Sequence, residues 1–257
     1  MNTSYKLGIS AIILTKNEEK NIVDCLESLS FVDEIIVIDD YSKDRTTEVA
    51  ENFNPRIKIF QRALGGNFSE QRNFGLSKAK KEWVLFIDAD ERISSGLKDE
   101  ITNFIKSDDQ TFQGFELERR DILWGKQLKH GETGNIKIIR FAKKNAGKWT
   151  GKVHEIWNIK EQIGTLKMPL YHYPHQSIEE FLREINFYTD LRAKELYEKN
   201  VRVNFLKIIF YPKAKFLLNY FLKLGFWDGV EGLIFAIMMS FHSFLVRGKL
   251  WMLWQKK

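Results

Sequence analysis

The most constraining feature of the sequence is residues 83–91, WVLFIDADE, where five apolar residues precede two carboxylates that stand one residue apart. An uninterrupted apolar run of this kind predicts a strand buried on both faces, as in a parallel sheet covered by helices. Ligands of such sheets bind beyond the carboxyl ends of the strands. Asp88 and Asp90 are therefore expected at a ligand-binding edge, where carboxylates suit a hard divalent cation. For this segment alone, an acidic turn is the alternative.

Strand-like and helix-like segments alternate in the first 90 residues. Four apolar runs predict strands, at 9–14, 34–38, 57–61 and 83–87. Between them, apolar residues recur at helical spacing around 22–29 and 46–53, and a third helix is expected around 69–79. The alternation predicts a doubly wound α/β sheet with right-handed crossovers. Cys25 falls on the apolar face of the first predicted helix, and we expect it in the core.

Polar side chains follow three of these strands at the point where each strand ends. They are Thr15 and Asn17, Asp39, and the pair Asp88 and Asp90. Each could be ordinary turn chemistry, because Asn and Asp favour turns. Since the carboxyl ends of parallel strands meet at one edge of a sheet, together they predict a ligand crevice.

The pattern changes after residue 93. Short alternating segments predict antiparallel or mixed strands that complete the sheet, at 114–119, 135–141 and 162–166. The polar segment 121–134 is long enough to be a binding loop. Ser177 and Glu180 form a capping box that opens a long helix.

The net charge of +6 belongs to the C-terminal part, since nine Lys and Arg stand against two acids from Asn200 onward. The remainder is close to neutral, which argues against a protein that wraps nucleic acid. The single cysteine excludes a disulfide framework and fits a reducing compartment. No basic-then-apolar leader precedes Lys16, so we expect a cytoplasmic protein.

The tail, residues 201–257, interleaves large aromatic residues with Lys and Arg. Its longest nearly apolar run, 232–246, is shorter than the roughly 20 residues that span a bilayer. Basic, aromatic, amphipathic helices predict a peripheral, monotopic attachment to the anionic inner face of the cell membrane. Helices that complete the protein core are the alternative.

Four motifs in order along the chain, TKNEE, VIDDYSKDRT, QRNFGL and FIDADE, resemble the family-2 glycosyltransferases of the GT-A fold. Later segments resemble a bacterial branch that includes lipopolysaccharide-core β-glucosyltransferases: HG at 130–131, IIRF at 138–141, GKVHE at 151–155, LYHYPHQSIEEFL at 170–182 and GFWDGVEGL at 225–233. One departure follows the HG, where the branch has an aromatic pair and this chain has Glu132-Thr133-Gly134. This departure bears on the identity of the acceptor.

The expected fold class is therefore α/β: a GT-A (Rossmann-like) mixed, mainly parallel sheet flanked by helices, with a C-terminal helical, membrane-associating extension. The resemblance implies a glycosyltransferase domain at 1–200 and a basic aromatic helical tail at 201–257. Within the domain, the nucleotide-binding half covers about 1–92 and the acceptor half about 93–176.

The resemblance implies inverting transfer of a sugar from a nucleotide diphosphate sugar, with a UDP-sugar favoured, and with Mg²⁺ or Mn²⁺. The acceptor would be a saccharide or a lipid-linked glycan of the cell envelope. The residues that would bind the donor are Thr15, Asn17 and Glu18 at the nucleoside, Asp39 at the base, Arg72 near the base or diphosphate, and Asp88 near the ribose and metal. Asp90 would be the direct metal ligand.

Inversion also needs a base that removes the proton of the acceptor hydroxyl. Glu155 is the first candidate, and His154 is the second because an unperturbed imidazole titrates near neutrality. A surface His-Glu pair without a catalytic role is the alternative. His172 would either complete the metal shell or pack among its neighbouring tyrosines. His130 and Arg140 are expected to contact the acceptor or the diphosphate.

Two other functions fit parts of the sequence. A nucleotidyltransferase would use a metal on a similar sheet, but it predicts a Gly-rich, basic phosphate loop after the first strand, and TKNEE is not one. A non-catalytic membrane-binding adaptor is opposed by the presence of Asp88, Asp90 and Glu155.

Overall fold

The computed structural model describes residues 8–55, 57–107, 109–134, 136–152 and 155–255. The chain forms two compact units. The first unit contains the residues up to Arg119 and Lys137–His172, and the second contains Arg120–Ile136 and the residues from Tyr173 onward. The long helix that follows the capping box is therefore grouped with the tail helices.

The first unit begins with the predicted alternation of strands and helices: β1 (Ile9–Thr15), α1 (Ile22–Ser28), β2 (Glu34–Asp39), α2 (Thr46–Phe53), β3 (Lys58–Gln61), α3 (Phe68–Lys78) and β4 (Trp83–Asp88). β1 is parallel to both β2 and β4, and β2 is parallel to β3. These predicted strands are confirmed, with ends within about one residue of the expected ones, because each is a dense apolar run.

The remaining strands are shorter and more mixed in direction: β5 (Glu91–Ile93), β6 (Gly114–Leu123), β7 (Lys126–Gln127), β8 (Ile136–Lys143), β9 (Gly147–Thr150), β10 (Ile156–Ile159), β11 (Ile163–Thr165) and β12 (Leu170–His172), with helix α4 at Ser95–Ser107. The main sheet has the order β3-β2-β1-β4-β8-β6-β12-β5. β8 is antiparallel to β4, and β12 is antiparallel to β5. The expected mixed sheet is thus confirmed.

Aromatic side chains pack on both faces of β4. On one face, Trp83 is stacked on Phe141 with ring centroids 4.8 Å apart. On the other face, the ring centroid of Phe86 lies 5.1 Å from that of Trp149 and 5.1 Å from that of Trp157. β4 is therefore buried on both sides, as its apolar sequence predicts. Cys25 is fully buried in the same unit, which confirms its place in the core.

The segment 121–134 is not one extended loop. Its first part completes β6, turns at Trp124-Gly125 and returns as β7, with Ile122 paired to Gln127. Trp124 and Gly125 both have positive φ, at 52° and 78°, as a two-residue hairpin turn requires. The sequence-based expectation was wrong here because a tryptophan stands where Asn or Asp usually signals this turn.

The second unit is built from three long helices: α5 (Ile178–Glu198), α6 (Phe205–Leu217) and α7 (Gly229–Gln255). Ser177 Oγ accepts the Glu180 N–H at 3.1 Å, which confirms the predicted cap of α5. A π-helical turn (Leu218–Leu222) and a 3₁₀ turn (Gly225–Asp228) lie between α6 and α7. The core of this unit combines strand and helix residues, namely Leu123, Leu128, Phe181, Ile185, Phe235 and Met238.

The tail helix is longer than the sequence suggested. Residues 225–255 form a continuous helical segment that is long and apolar enough, by length and composition alone, to cross a bilayer, with 28% of its most apolar window buried. The apolar run at 232–246 is bounded by Glu231 and Arg247, and both residues lie within α7, so the helix extends beyond the run. Phe235 and Met238 of α7 also contribute to the core of the second unit.

Candidate active site

The strand register brings three strand ends together in the first unit. Leu14 pairs with Asp88 across β1 and β4, and Thr15 pairs with Asp39 across β1 and β2. The side-chain hydroxyl of Thr15 is buried and has no hydrogen-bond partner among the described residues. The predicted crevice residues at the ends of these strands are therefore neighbours, as the parallel topology requires.

The loops after β1 and β2 are tied to each other by hydrogen bonds. Asn17, at a left-handed φ of 57°, donates its N–H to Ser42 Oγ at 2.8 Å and accepts the Lys43 N–H at 2.7 Å. Glu18 donates its N–H to Thr46 Oγ1 at 2.8 Å. These bonds fix the shape of the region where the nucleoside is expected, so that little ordering is needed when a ligand binds.

Asp39 is fully buried and accepts the Ser42 N–H at 3.0 Å, with Gln61 Nε2 at 3.4 Å from the same carboxylate oxygen. Its carboxylate thus organises the turn after β2. The predicted hydrogen bond to a nucleotide base remains a prediction.

Asp88 is held by two buried arginines from different elements. Arg72 of α3 donates Nη2–H to both Asp88 oxygens at 3.0 and 3.2 Å, and Arg140 of β8 donates to Asp88 Oδ2 at 2.6 Å. Arg72 also donates Nε–H to Glu155 Oε1 at 2.7 Å. Four of the predicted site residues, Arg72, Asp88, Arg140 and Glu155, therefore form one ionic cluster.

Several guanidinium N–H groups of this cluster have no partner among the described residues. They are Arg72 Nη1, Arg140 Nε and Arg140 Nη1, all of them buried. Buried donors without acceptors are costly, and a bound anion such as a phosphate would satisfy them. The cluster thus has donor capacity beyond its own carboxylates.

The charges of the cluster shift the titration of its carboxyl groups. Burial opposes ionisation of Asp88, but Arg140 and Arg72 outweigh it and hold the pKa of Asp88 well below its usual range. Burial raises the pKa of Glu91 despite Arg140, and the charge of Asp88 adds to the rise. Asp88 therefore stays ionised under all ordinary conditions.

Asp90 faces a histidine instead of an arginine. Because β12 pairs antiparallel with β5, His172 lies opposite Glu91 in the register, and His172 Nε2 lies 3.2 Å from Asp90 Oδ2. Burial opposes ionisation of Asp90, but His172 outweighs it and lowers the pKa of Asp90. An imidazole nitrogen and a carboxylate oxygen at this separation suit two ligands of one divalent cation.

Within the described residues, no group of three or more His, Cys, Asp and Glu side chains could hold a metal ion unaided. Asp90 and His172 would therefore supply two ligands and leave the remainder to substrate oxygens, the usual arrangement for Mg²⁺ in phosphate-transferring sites. The side chains of Asp90 and His172 thus fit the expected metal, whereas the oxygens of Asp88 accept hydrogen bonds from Arg72 and Arg140.

One predicted residue is not part of these clusters, and His154 lies outside the described residues. His130 lies in the second unit, where its Nδ1 is 2.9 Å from Asp228 Oδ1.

Sequence reasoning missed Glu91, which is fully buried and whose Oε2 accepts the Asp88 N–H at 2.8 Å. It also missed Asp228, which is buried against His130. Glu91 directly follows the two aspartates in the strand motif, and this position could have identified it as a site residue. Nothing local to Asp228 points to a residue almost a hundred positions away.

Solved structures share the fold at low sequence identity. The mannosyltransferase PcManGT from Pyrobaculum calidifontis, solved with GDP-Man and Mn²⁺, aligns with a TM-score of 0.54 at 12% identity over 99% of this chain and 89% of that one. S. aureus TarS aligns with a TM-score of 0.50 at 15% identity over 94% of this chain and 55% of that one. The protein has the GT-A fold of glycosyltransferases.

Sequence comparisons define the family. The family model for glycosyl transferase family 2 matches residues 10–157. The lipopolysaccharide core biosynthesis glycosyltransferase LpsC of Rhizobium meliloti is 28% identical over 96% of this chain and 93% of its own length. An uncharacterized glycosyltransferase of Rickettsia bellii is 31% identical over 94% of this chain and 85% of its own length. The chain belongs to glycosyl transferase family 2, and it is a glycosyltransferase, which decides against the nucleotidyltransferase and adaptor alternatives.

Proposed function

We propose that the protein is an inverting, metal-dependent glycosyltransferase that moves a sugar from a nucleotide diphosphate sugar to a saccharide or lipid-linked acceptor of the cell envelope. The donor class is supported by the related fold of the mannosyltransferase solved with GDP-Man and Mn²⁺. The acceptor class is supported by similarity to a glycosyltransferase of lipopolysaccharide core biosynthesis. A UDP-sugar is the first donor to test.

The observation that carries the proposal is the arrangement of charge beyond the end of β4. Arg72 and Arg140 have buried N–H donors that find no partner among the described residues. Asp90 lies two residues after Asp88 in the strand motif, and the sheet register brings His172 to 3.2 Å from Asp90. A diphosphate would accept from the arginines, and its oxygens would share a cation with Asp90 and His172.

Charge on the leaving diphosphate grows as the glycosidic bond to it breaks. A divalent cation bound by Asp90 and His172 would supply Lewis-acid stabilisation of that charge. The two guanidinium groups supply fixed positive charge in a water-poor site, where electrostatic stabilisation is strong. Asp88 keeps both arginines in position.

Glu155 is the proposed base. Its Oε1 accepts the Arg72 Nε–H at 2.7 Å, and its side chain is only 14% exposed, so the carboxylate is held in one orientation. A held carboxylate can remove the proton of an acceptor hydroxyl as that hydroxyl attacks the anomeric carbon from the face opposite the diphosphate. Attack from that face inverts the configuration.

We further propose that the helices of the second unit attach the protein to the inner face of the membrane. Large apolar residues on α6 are exposed at helical spacing, and so are large apolar residues on α7: Leu206, Phe210 and Leu217 on α6, and Val230, Ile237, Phe241 and Phe244 on α7. No Asp or Glu occurs from 205 to 227, whereas Lys207, Lys213 and Lys223 do, besides Lys215, which is paired with Glu132. Exposed apolar stripes flanked by lysines suit an anionic lipid surface.

The test is donor hydrolysis. Purified protein is incubated with radiolabelled UDP-, GDP- and ADP-sugars and Mn²⁺ or Mg²⁺, and released sugar is counted. We expect slow, cation-dependent hydrolysis of one donor, abolished by Asp90→Ala and retained by Asp24→Ala, which removes an exposed acid bonded to Arg92. Absence of hydrolysis with every donor, or hydrolysis that survives Asp90→Ala, would contradict the proposal.

A further inference from the structure

The second unit contains a histidine that is oriented by a buried carboxylate. Asp228 Oδ2 accepts the backbone N–H of Lys129 at 3.1 Å and that of His130 at 2.8 Å, and its Oδ1 lies 2.9 Å from His130 Nδ1. The Asp228 side chain is 6% exposed, whereas the His130 side chain is 26% exposed. The carboxylate is thus enclosed, and the imidazole reaches the surface.

This arrangement fixes the hydrogen-bonding character of the exposed nitrogen. A carboxylate only accepts, so Nδ1 of His130 carries the hydrogen that points to Asp228. In the neutral ring, Nε2 is then an acceptor with a free lone pair. The surface at His130 therefore favours a ligand that donates hydrogen bonds, such as a hydroxyl group.

An exposed indole stands beside the imidazole. Trp227 is 68% exposed, and its ring centroid is 5.8 Å from that of His130 at an interplanar angle of 64°. The 3₁₀ turn that carries it is held by the Trp227 N–H bonded to Leu224 O at 2.9 Å, with Leu224 at a left-handed φ of 57°. A tryptophan presented to solvent on a fixed turn offers a large apolar face beside a polar group.

The residue after His130, Gly131, packs closely against the π-helical turn. Gly131 has a φ of 70° and donates its N–H to Lys223 O at 2.9 Å, and a Cβ at this position would lie 3.4 Å from Asn219 Oδ1. Asn219 is buried, and this oxygen has no hydrogen-bond partner among the described residues. π-Helical turns occur frequently at functional sites.

Two lysine side chains of this unit are paired with acceptors of the protein itself. Lys126 Nζ binds Asp228 O at 2.6 Å and Glu231 at 3.0 Å, and Lys215 is bonded to Glu132. A site for a phosphate would keep such cations for the ligand. The chemistry of an aromatic face beside a hydrogen-bond acceptor instead matches a sugar ring, which has an apolar C–H face and hydroxyl donors.

We propose that His130 Nε2 and the face of Trp227 form a binding subsite for a pyranose ring of the acceptor, with Asp228 as a positioning residue. That the bound sugar belongs to the acceptor rests on the proposed function. That this surface binds a sugar ring rests on the geometry of His130 and Trp227. His130 would accept a hydrogen bond from a ring hydroxyl while the ring stacks on Trp227.

The test measures saccharide binding directly, without a donor. Methyl pyranosides of glucose, galactose, mannose and N-acetylglucosamine are titrated into the full chain, and saturation-transfer NMR gives the affinity. We expect one glycoside to bind, with affinity about tenfold weaker in Trp227→Ala and in His130→Gln. Trp251→Ala, which removes another exposed tryptophan of this unit, should bind as the wild type does.

The two proposals fail separately. Asp90→Ala should keep glycoside binding while donor hydrolysis is lost, so a chain that binds glycoside but hydrolyses no donor overturns only the proposed function. The subsite is overturned if no glycoside binds, if folded Trp227→Phe and Trp227→Ala both bind like the wild type, or if Trp227→Ala weakens only the attachment to anionic vesicles. Circular dichroism of each variant confirms its fold.

Discussion

The first unit buries charged side chains, whereas the second unit exposes apolar ones. In the first, Arg72 and Arg140 are 2% and 6% exposed and are paired with carboxylates. In the second, Phe210 and Val230 are 58% and 68% exposed. Buried ion pairs are weak sources of stability but good recognition elements for a charged ligand, and exposed apolar stripes suit an interface. The difference agrees with our proposal that the first unit carries the chemistry and the second unit the attachment to the membrane.

The largest effect should come from Glu155→Gln, which keeps the size of the side chain and removes the base. We expect transfer to fall by about 10²- to 10⁴-fold, the usual contribution of general-base catalysis, with donor binding retained. Transfer assays and a donor-binding titration measure the two effects. Glu195→Gln, at a helix ion pair of the second unit, should leave transfer within about twofold of wild type, since such pairs contribute little. Equal losses would break the assignment of chemistry to the first unit.

A second effect concerns stability. Arg140→Met leaves the buried carboxylate of Glu91 without its guanidinium partner and Asp88 with Arg72 alone, and we expect a loss of about 3–5 kcal/mol in the free energy of unfolding. Arg192→Met removes a 37% exposed partner of Glu195 and should cost about 1 kcal/mol or less. Urea denaturation at pH 7 compares them. Similar losses would mean that the two units do not differ in how they hold charge.

Membrane attachment should respond to the second unit only. Phe210→Glu and Phe241→Glu each place a charge in an exposed apolar stripe, and we expect binding to anionic vesicles to weaken about tenfold for each, as expected from removing an aromatic side chain from an apolar environment. Phe53→Glu, at a 40% exposed position of the first unit, should bind as the wild type does. Vesicle co-sedimentation measures this. A loss with Phe53→Glu would indicate nonspecific adsorption.

The smallest effect depends on pH. Burial opposes ionisation of Glu34, but Lys58 and Ser10 outweigh it and lower the pKa of Glu34 in the folded state. A lowered folded pKa contributes stability above the unfolded value, near pH 4.3, and this contribution is lost as the pH falls through the folded value. Glu34→Gln should therefore lose about 1 kcal/mol at pH 7, because Lys58 is partly exposed, and less at pH 3. Denaturation at both values tests this.

The sequence predicted the first half of the fold well because its information there is local. Dense apolar runs define β1 to β4, and the aspartates at the end of β4 mark the candidate site. What it could not predict depends on long-range pairing. The antiparallel contact of β12 with β5 brings His172 to Asp90, and the fold brings Arg140 to Asp88, across 82 and 52 positions respectively. Neither contact has a local signature.

The second unit was harder for the same reason. The cap at Ser177 is local and was predicted, whereas the pairing of His130 with Asp228 spans 98 positions. The turn at Trp124-Gly125 was missed because its first position carries a tryptophan, whereas turn chemistry favours Asn or Asp there. The apolar run at 232–246 is shorter than α7 because the charged residues that bound the run, Glu231 and Arg247, do not end a helix.

Arg72 lies against aromatic rings, so the fluorescence of nearby tryptophans should respond to ligand binding at the candidate site. Its guanidinium lies 4.8 Å from the ring of Trp149, which is stacked on Trp157 at 5.3 Å in the interior. If the diphosphate of a bound ligand draws the guanidinium of Arg72 toward itself, the electric field at this indole pair changes. The wavelength and yield of tryptophan emission should change with it. Occupancy of the crevice can therefore be followed in the unlabelled protein, in real time and without turnover.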